Sequence, residues 1–124
     1  MPIPATPTTI VNNPSVTLLS PGVVPALAFD KAFVAADILN GNCFQATGDD
    51  TLVVFNPDEG PHNITVWSAA DSFGRYANVT YQVSAGVHSF IRIIPGSLYT
   101  QPGTNTIVFS CDSALLDLAV VTNP

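Results

Sequence analysis

The string Asp71-Ser72-Phe73-Gly74-Arg75-Tyr76 gathers more chemistry than any other part of the chain. Arg75 is one of only two arginines. Gly74 permits a tight turn, across which Asp71 and Arg75 can form a charge-assisted pair. Such a pair fixes a loop, although it adds little stability when exposed. Alternatively, the string is a contact point on a partner surface or at an oligomer axis, with Phe73 and Tyr76 as its aromatic components.

The remaining reactive side chains do not assemble into a catalytic pattern. His62 follows Pro61 in a run of turn formers, and His88 opens an apolar stretch. No GxSxG elbow supplies a nucleophile for either. Both histidines read as structural. The carboxylates are scattered, and Glu59 is the only glutamate. Glycoside hydrolysis needs two opposed carboxyl groups in a cleft, which this pattern does not suggest. Asp49-Asp50 and Asp58-Glu59 sit in expected loops, without the alternating series of a calcium loop. Cys43 and Cys111 lack CxxC or histidine partners, so zinc is not expected. They read as two free, buried thiols; spacing alone does not decide whether they form a disulfide. The chain is expected to be no enzyme and to need no cofactor and no metal.

Charge narrows the partners. The 124 residues hold 3 Lys+Arg and 9 Asp+Glu, for a net charge of −6. Charged residues are 10% of the chain, against about 25% in soluble domains generally. Three cations cannot neutralise the phosphates of a nucleic-acid site or dock on anionic lipid. Neither nucleic acid nor membrane is expected as a partner. Met1-Pro2-Ile3-Pro4 does not read as a secretory leader.

The elements that must position these residues read as β. Six of the 11 prolines fall within the first 25 residues, a stretch with no charged side chain. Proline disfavours helix and central strand, so residues 1–22 are expected to form an extended arm. Its apolar residues are Ile3, Ile10, Val11, Val16, Leu18 and Leu19. Residues 23–124 form the expected domain. Val23–Phe29 reads as a strand, Phe33–Leu39 as a short helical turn with Asp30 as cap and Gly41 as stop, and Cys43–Ala46 as the beginning of the next strand. From residue 50 onward, strands are expected at 51–55, 63–68, 78–83, 88–94, 106–111 and 115–121, separated by turn formers. Ile64 and Val66 alternate with Thr65 and Trp67; Val79, Tyr81 and Val83 share a face. With no long amphipathic helix, this spacing indicates an all-β antiparallel sandwich, jelly-roll-like in arrangement.

The strings Phe44-Gln45-Ala46-Thr47-Gly48, Thr51-Leu52-Val53-Val54-Phe55-Asn56, His62-Asn63-Ile64-Thr65-Val66, Ser68 to Arg75 and Tyr81-Gln82-Val83-Ser84-Ala85-Gly86 form an ordered series. The later Ile94-Pro95 with Leu98-Tyr99, and Leu118-Ala119-Val120-Val121, continue it. Over roughly residues 26–121 the series resembles a group of small tailed-bacteriophage structural proteins, the head decoration (cement) and minor capsid proteins. The resemblance implies a β-sandwich on the outer capsid surface of the virion, synthesised in the host cytoplasm and without enzyme activity. It implies the major capsid protein as partner and a homo-oligomer, a trimer in preference to a dimer. The candidate capsid or oligomer contacts are then Ile3, Ile10, Val11, Val16, Leu18, Leu19, Asp71, Phe73, Arg75 and Tyr76. A second reading is a carbohydrate- or receptor-binding module of a tail or fibre, with Trp67, Tyr76, Tyr81 and Tyr99 as stacking platforms.

Overall fold

Side chains that alternate between apolar and polar favour extended chain, because successive residues then face core and solvent in turn. The computed structural model describes residues 3–10, 12–14, 33–47, 50–93 and 98–122, and among these the regular structure is entirely strand. The longer strands are β4 (Asn42–Gln45), β5 (Asp50–Phe55), β6 (His62–Val66), β7 (Val79–Val83), β8 (His88–Ile93), β10 (Thr106–Cys111) and β11 (Asp117–Thr122). Shorter ones are β1 (Thr8–Thr9), β2 (Asn12–Pro14), β3 (Val34–Ala35) and β9 (Thr100–Gln101).

Two sheets result. The first runs β1-β4-β10-β6-β7, with β9 also on β10; the second runs β2-β11-β5-β8, with β3 also on β11. Among the described residues, only β1–β4 and β2–β11 are parallel. From β4 to β11 the chain changes sheet at every step except the β6–β7 and β9–β10 hairpins. The order β3-β11-β5-β8 over β4-β10-β6-β7 is that of a jelly roll, two Greek keys face to face. The all-β antiparallel sandwich read from the sequence is therefore the fold of the chain.

The core lies between the sheets. Phe44, Leu52, Val54, Ile64, Val66, Val83, Ile107, Phe109, Leu118 and Val120 are all sealed from solvent there. The Phe44 and Phe109 rings meet at a tilt, with centroids 6.2 Å apart. A second, smaller cluster occupies the outer face of the first sheet: Cys43, Trp67 and Val108, covered by Ile3. Trp67 can be buried there because its Nε1 donates to Ser110 Oγ at 3.0 Å.

The described part of residues 1–22 belongs to this body. Thr8 N–H donates to Gly41 O at 2.9 Å and Ile10 N–H to Cys43 O at 2.8 Å, which places β1 beside β4. The chain then crosses to the second sheet, where Asn12–Pro14 lies along β11. Ile10 sits at the crossing, 3% exposed, within the main core. The expectation that Ile10 contacts a neighbour is thus corrected: its side chain is used up inside its own fold. Proline is compatible with this, because edge strands tolerate a missing donor. Val11, Val16, Leu18 and Leu19 lie outside the described residues, as do the strand expected at Val23–Phe29 and the Asp30 cap.

A second correction concerns Phe33–Leu39. In place of a helical turn there is β3 and a tight turn built by Asp37. Asp37 Oδ1 accepts N–H bonds from Leu39 (3.1 Å) and Asn40 (3.0 Å), and Thr8 Oγ1 donates to Oδ2 at 2.6 Å. Gly41 closes the turn at φ 73°, with Pro4 packed so near that a Cβ would lie 2.8 Å from Pro4 Cγ. These donors, Thr8 first and then Asn40, hold the Asp37 carboxyl at about 2. A depressed carboxylate favours folding above its unfolded pKa and loses that contribution as pH falls through its folded value.

Two outcomes are expected. Ile10→Ala should lower the unfolding free energy by about 2–4 kcal/mol in chemical denaturation; a change typical of surface sites would contradict its place in the core. Stability should fall between roughly pH 4 and pH 2, and Asp37→Asn should make that decline shallower.

Candidate functional site

The loop after β6 is tied at its base before it carries anything. Ser68 is fully buried, and its N–H donates to Asn78 Oδ1 at 2.9 Å. Ser68 Oγ in turn accepts the Ala77 N–H at 2.6 Å. Gln101 Nε2 donates to Trp67 O (3.3 Å) and Ser68 O (3.0 Å), and Ala69 N–H to Leu98 O (2.7 Å). Both ends of the loop are therefore fixed to the first sheet and its neighbours.

Within the loop, Asp71 organises everything. Its Oδ1 accepts the N–H groups of Phe73 and Arg75, each at 2.8 Å, and its Oδ2 accepts Arg75 Nε at 2.7 Å. Asp71 N–H donates to Arg75 O at 2.8 Å and Gly74 N–H to Asp71 O at 3.0 Å. Gly74 stands at φ 76°, a conformation that L side chains rarely adopt. The Arg75 backbone N–H, then the Arg75 side chain and the Phe73 N–H, hold the Asp71 carboxyl below the usual range. The pair expected from the sequence is present, and it is one part of a larger network.

This network holds an aromatic ring in water. Phe73 is 81% exposed, and the Arg75 guanidinium lies 5.1 Å from its ring centroid. That geometry is a cation–π contact. Tyr76 follows and meets Trp67 edge-on at 5.7 Å. Trp67 belongs to the cluster that Ile3 covers. Hence Ile3 and Tyr76 belong to the outer side of the first sheet, whereas Ile10 belongs to the inner side.

The stacking platforms of the carbohydrate reading fare unequally. Trp67 is 4% exposed, so its face is already occupied by protein. Tyr99 packs partly buried against the main core. Tyr76 and Tyr81 stay exposed.

One arrangement escaped the sequence reading. His62 Nε2 lies 2.7 Å from Asp58 Oδ2, and its Nδ1 lies 3.2 Å from Asp112 Oδ1. The imidazole thus clamps the β5–β6 turn to the β10–β11 turn. The His62 bond is the largest cause of a lowered Asp58 pKa. The Asp58–His62 spacing across a turn was a usable signal; the arrival of Asp112 from a distant turn was not. Both ring nitrogens face carboxylates, so the imidazole bridges the two turns. Among the described residues, no group of three His, Cys, Asp or Glu is arranged to hold a metal ion.

Cys43 and Cys111 are both free and buried. Cys43 packs on the outer face of the first sheet and Cys111 in the core between the sheets. Strand alternation therefore separates the two thiols. Burial, with Asp112 nearby, pushes the Cys111 thiol up to about 12, far from the range of a nucleophile.

Comparisons of the chain with family models, with curated proteins and with solved structures find no match.

Asp71→Ala is expected to free the loop while leaving the sandwich intact. Amide exchange at Phe73 and Arg75 should accelerate, while the unfolding temperature changes little because the carboxylate is exposed. Unchanged exchange at both amides would show that the base of the loop alone fixes it.

Proposed function

We propose that the chain is a virion structural protein, a capsid decoration or cement protein of the tailed-bacteriophage kind. It binds the shell of the major capsid protein through protein–protein contacts and reinforces it. The observation that carries this reading is the exposed Phe73, held with Arg75 on a loop that Asp71 has already ordered. Aromatic residues and arginine are enriched where interfaces concentrate their energy. A contact ordered in advance loses little entropy on binding. The scarcity of charge supports the same reading, since interface cores are depleted of it. So does the resemblance of the ordered series of strings to that group. The proposed location is the outer surface of the particle, and no reaction is assigned to the chain.

The test is co-sedimentation of the purified chain with mature shells. Saturation at a stoichiometry set by shell symmetry is expected. The double variant Phe73→Ala with Arg75→Ala should weaken binding at least about tenfold, or about 1.4 kcal/mol. A native chain that stays in solution beside the shells would overturn the proposal. Glycan binding that disappears with Phe73→Ala would replace it with the carbohydrate reading.

A further inference from the structure

Open sheet edges present rows of unpaired N–H and C=O groups, and proteins guard them with short strands, proline or charge. Most edges of this sandwich are guarded. β1 and β3 are two residues long, and β2 ends on Pro14. β8, the far edge of the second sheet, carries Arg92.

β7 has none of these devices. It is the far edge of the first sheet, and among the described residues only β6 pairs with it. Its five residues, Val79-Thr80-Tyr81-Gln82-Val83, include no charge, proline or glycine. The uncharged stretch extends from Tyr76 to Val87. Throughout it, only Val79 and Val83 are withdrawn from solvent. Thr80, Tyr81 and Gln82 are therefore presented along an edge that, among the described residues, is open on its far side.

The strand is also close to a palindrome. Antiparallel pairing with a second β7 about Tyr81 sets Val79 against Val83, Thr80 against Gln82 and Tyr81 against Tyr81. Valines fall opposite valines on the inner face, and hydrogen-bonding side chains meet on the outer face. No like charges are opposed, although each copy carries −6. We propose that β7 is a self-recognition edge, through which two copies of this chain pair antiparallel across a twofold axis at Tyr81. The interface is isologous, and it joins the two first sheets into one continuous sheet. This proposal does not rest on the capsid reading, because β7 lies outside the Phe73 loop.

The net charge predicts how the pair responds to salt. Two copies at −6 repel through solvent, and salt screens that repulsion. An uncharged contact gains from screening, whereas a contact made of ion pairs would lose.

Sedimentation velocity over a concentration series tests the proposal. The native chain should form a concentration-dependent dimer, strengthened by salt. Thr80→Lys with Gln82→Lys opposes lysines at both outer pairs and should weaken association roughly tenfold or more. Thr80→Lys with Gln82→Glu opposes lysine and glutamate and should restore it. All these side chains are exposed, and equal unfolding temperatures would verify the folded state. In the native chain, β7 amides should also gain exchange protection as concentration rises, a readout that needs no variant. Native protein that stays monomeric or forms a trimer would overturn the proposal. So would a double-lysine variant that pairs as tightly as native, a Lys/Glu variant as weak as the double-lysine one, or β7 protection indifferent to concentration.

Discussion

Burial of β10 on both faces is the constraint from which the rest follows. Ile107 and Phe109 face the core with no exposure, while Val108 between them is 5% exposed on the opposite face. A strand buried on both sides needs a cover on each. The second sheet covers one side. The other is covered by Trp67 at the base of the loop and by Ile3. The aromatic loop and the first residues of the described chain are therefore held by the same demand for cover. Val53 and Ala119 are buried just as completely on the outer face of the second sheet. Each sheet is thus built around strands that are apolar on both sides.

Charge is placed to suit this plan. Asp37, Asp50, Asp58, Asp71 and Asp112 each accept backbone N–H groups at turns or strand ends. A carboxylate there satisfies amides that the ladders leave unpaired. The few charges serve largely as turn fasteners, and broad sheet surfaces stay neutral. This is how a chain with so little charge holds well-defined loops.

What was legible in the sequence follows from range. The strands from β4 onward, apart from β9, were readable because their patterns are local: Ile64 and Val66 face in, Thr65 and Trp67 face out. The two- and three-residue strands β1, β2, β3 and β9 were not, since each depends on a partner it does not itself specify. Ile10 read as part of an arm because prolines surround it, yet its side chain lies buried in the main core. The Asp71–Arg75 pair was visible because both partners lie in one turn. The burial of Trp67 was not, since its cover comes from Ile3, and the third member of the His62 clamp was equally remote. Phe33–Leu39 looked helical by composition, but Asp37 captured the amides and turned the chain.

The crossing at Ile10 also has a consequence for the order of folding. β1 pairs with residues that follow it at moderate distance, but β2 pairs with β11, the last strand described. Such long-range closure is slow, because the intervening loop must be ordered before the contact repays it. Until β11 is synthesised, the early segment has no partner in the second sheet, and the half-built core lacks its seal on that flank. Nascent chains of this protein therefore pass through an interval in which apolar surface is open to other molecules. How long that interval lasts depends on when the final strand emerges.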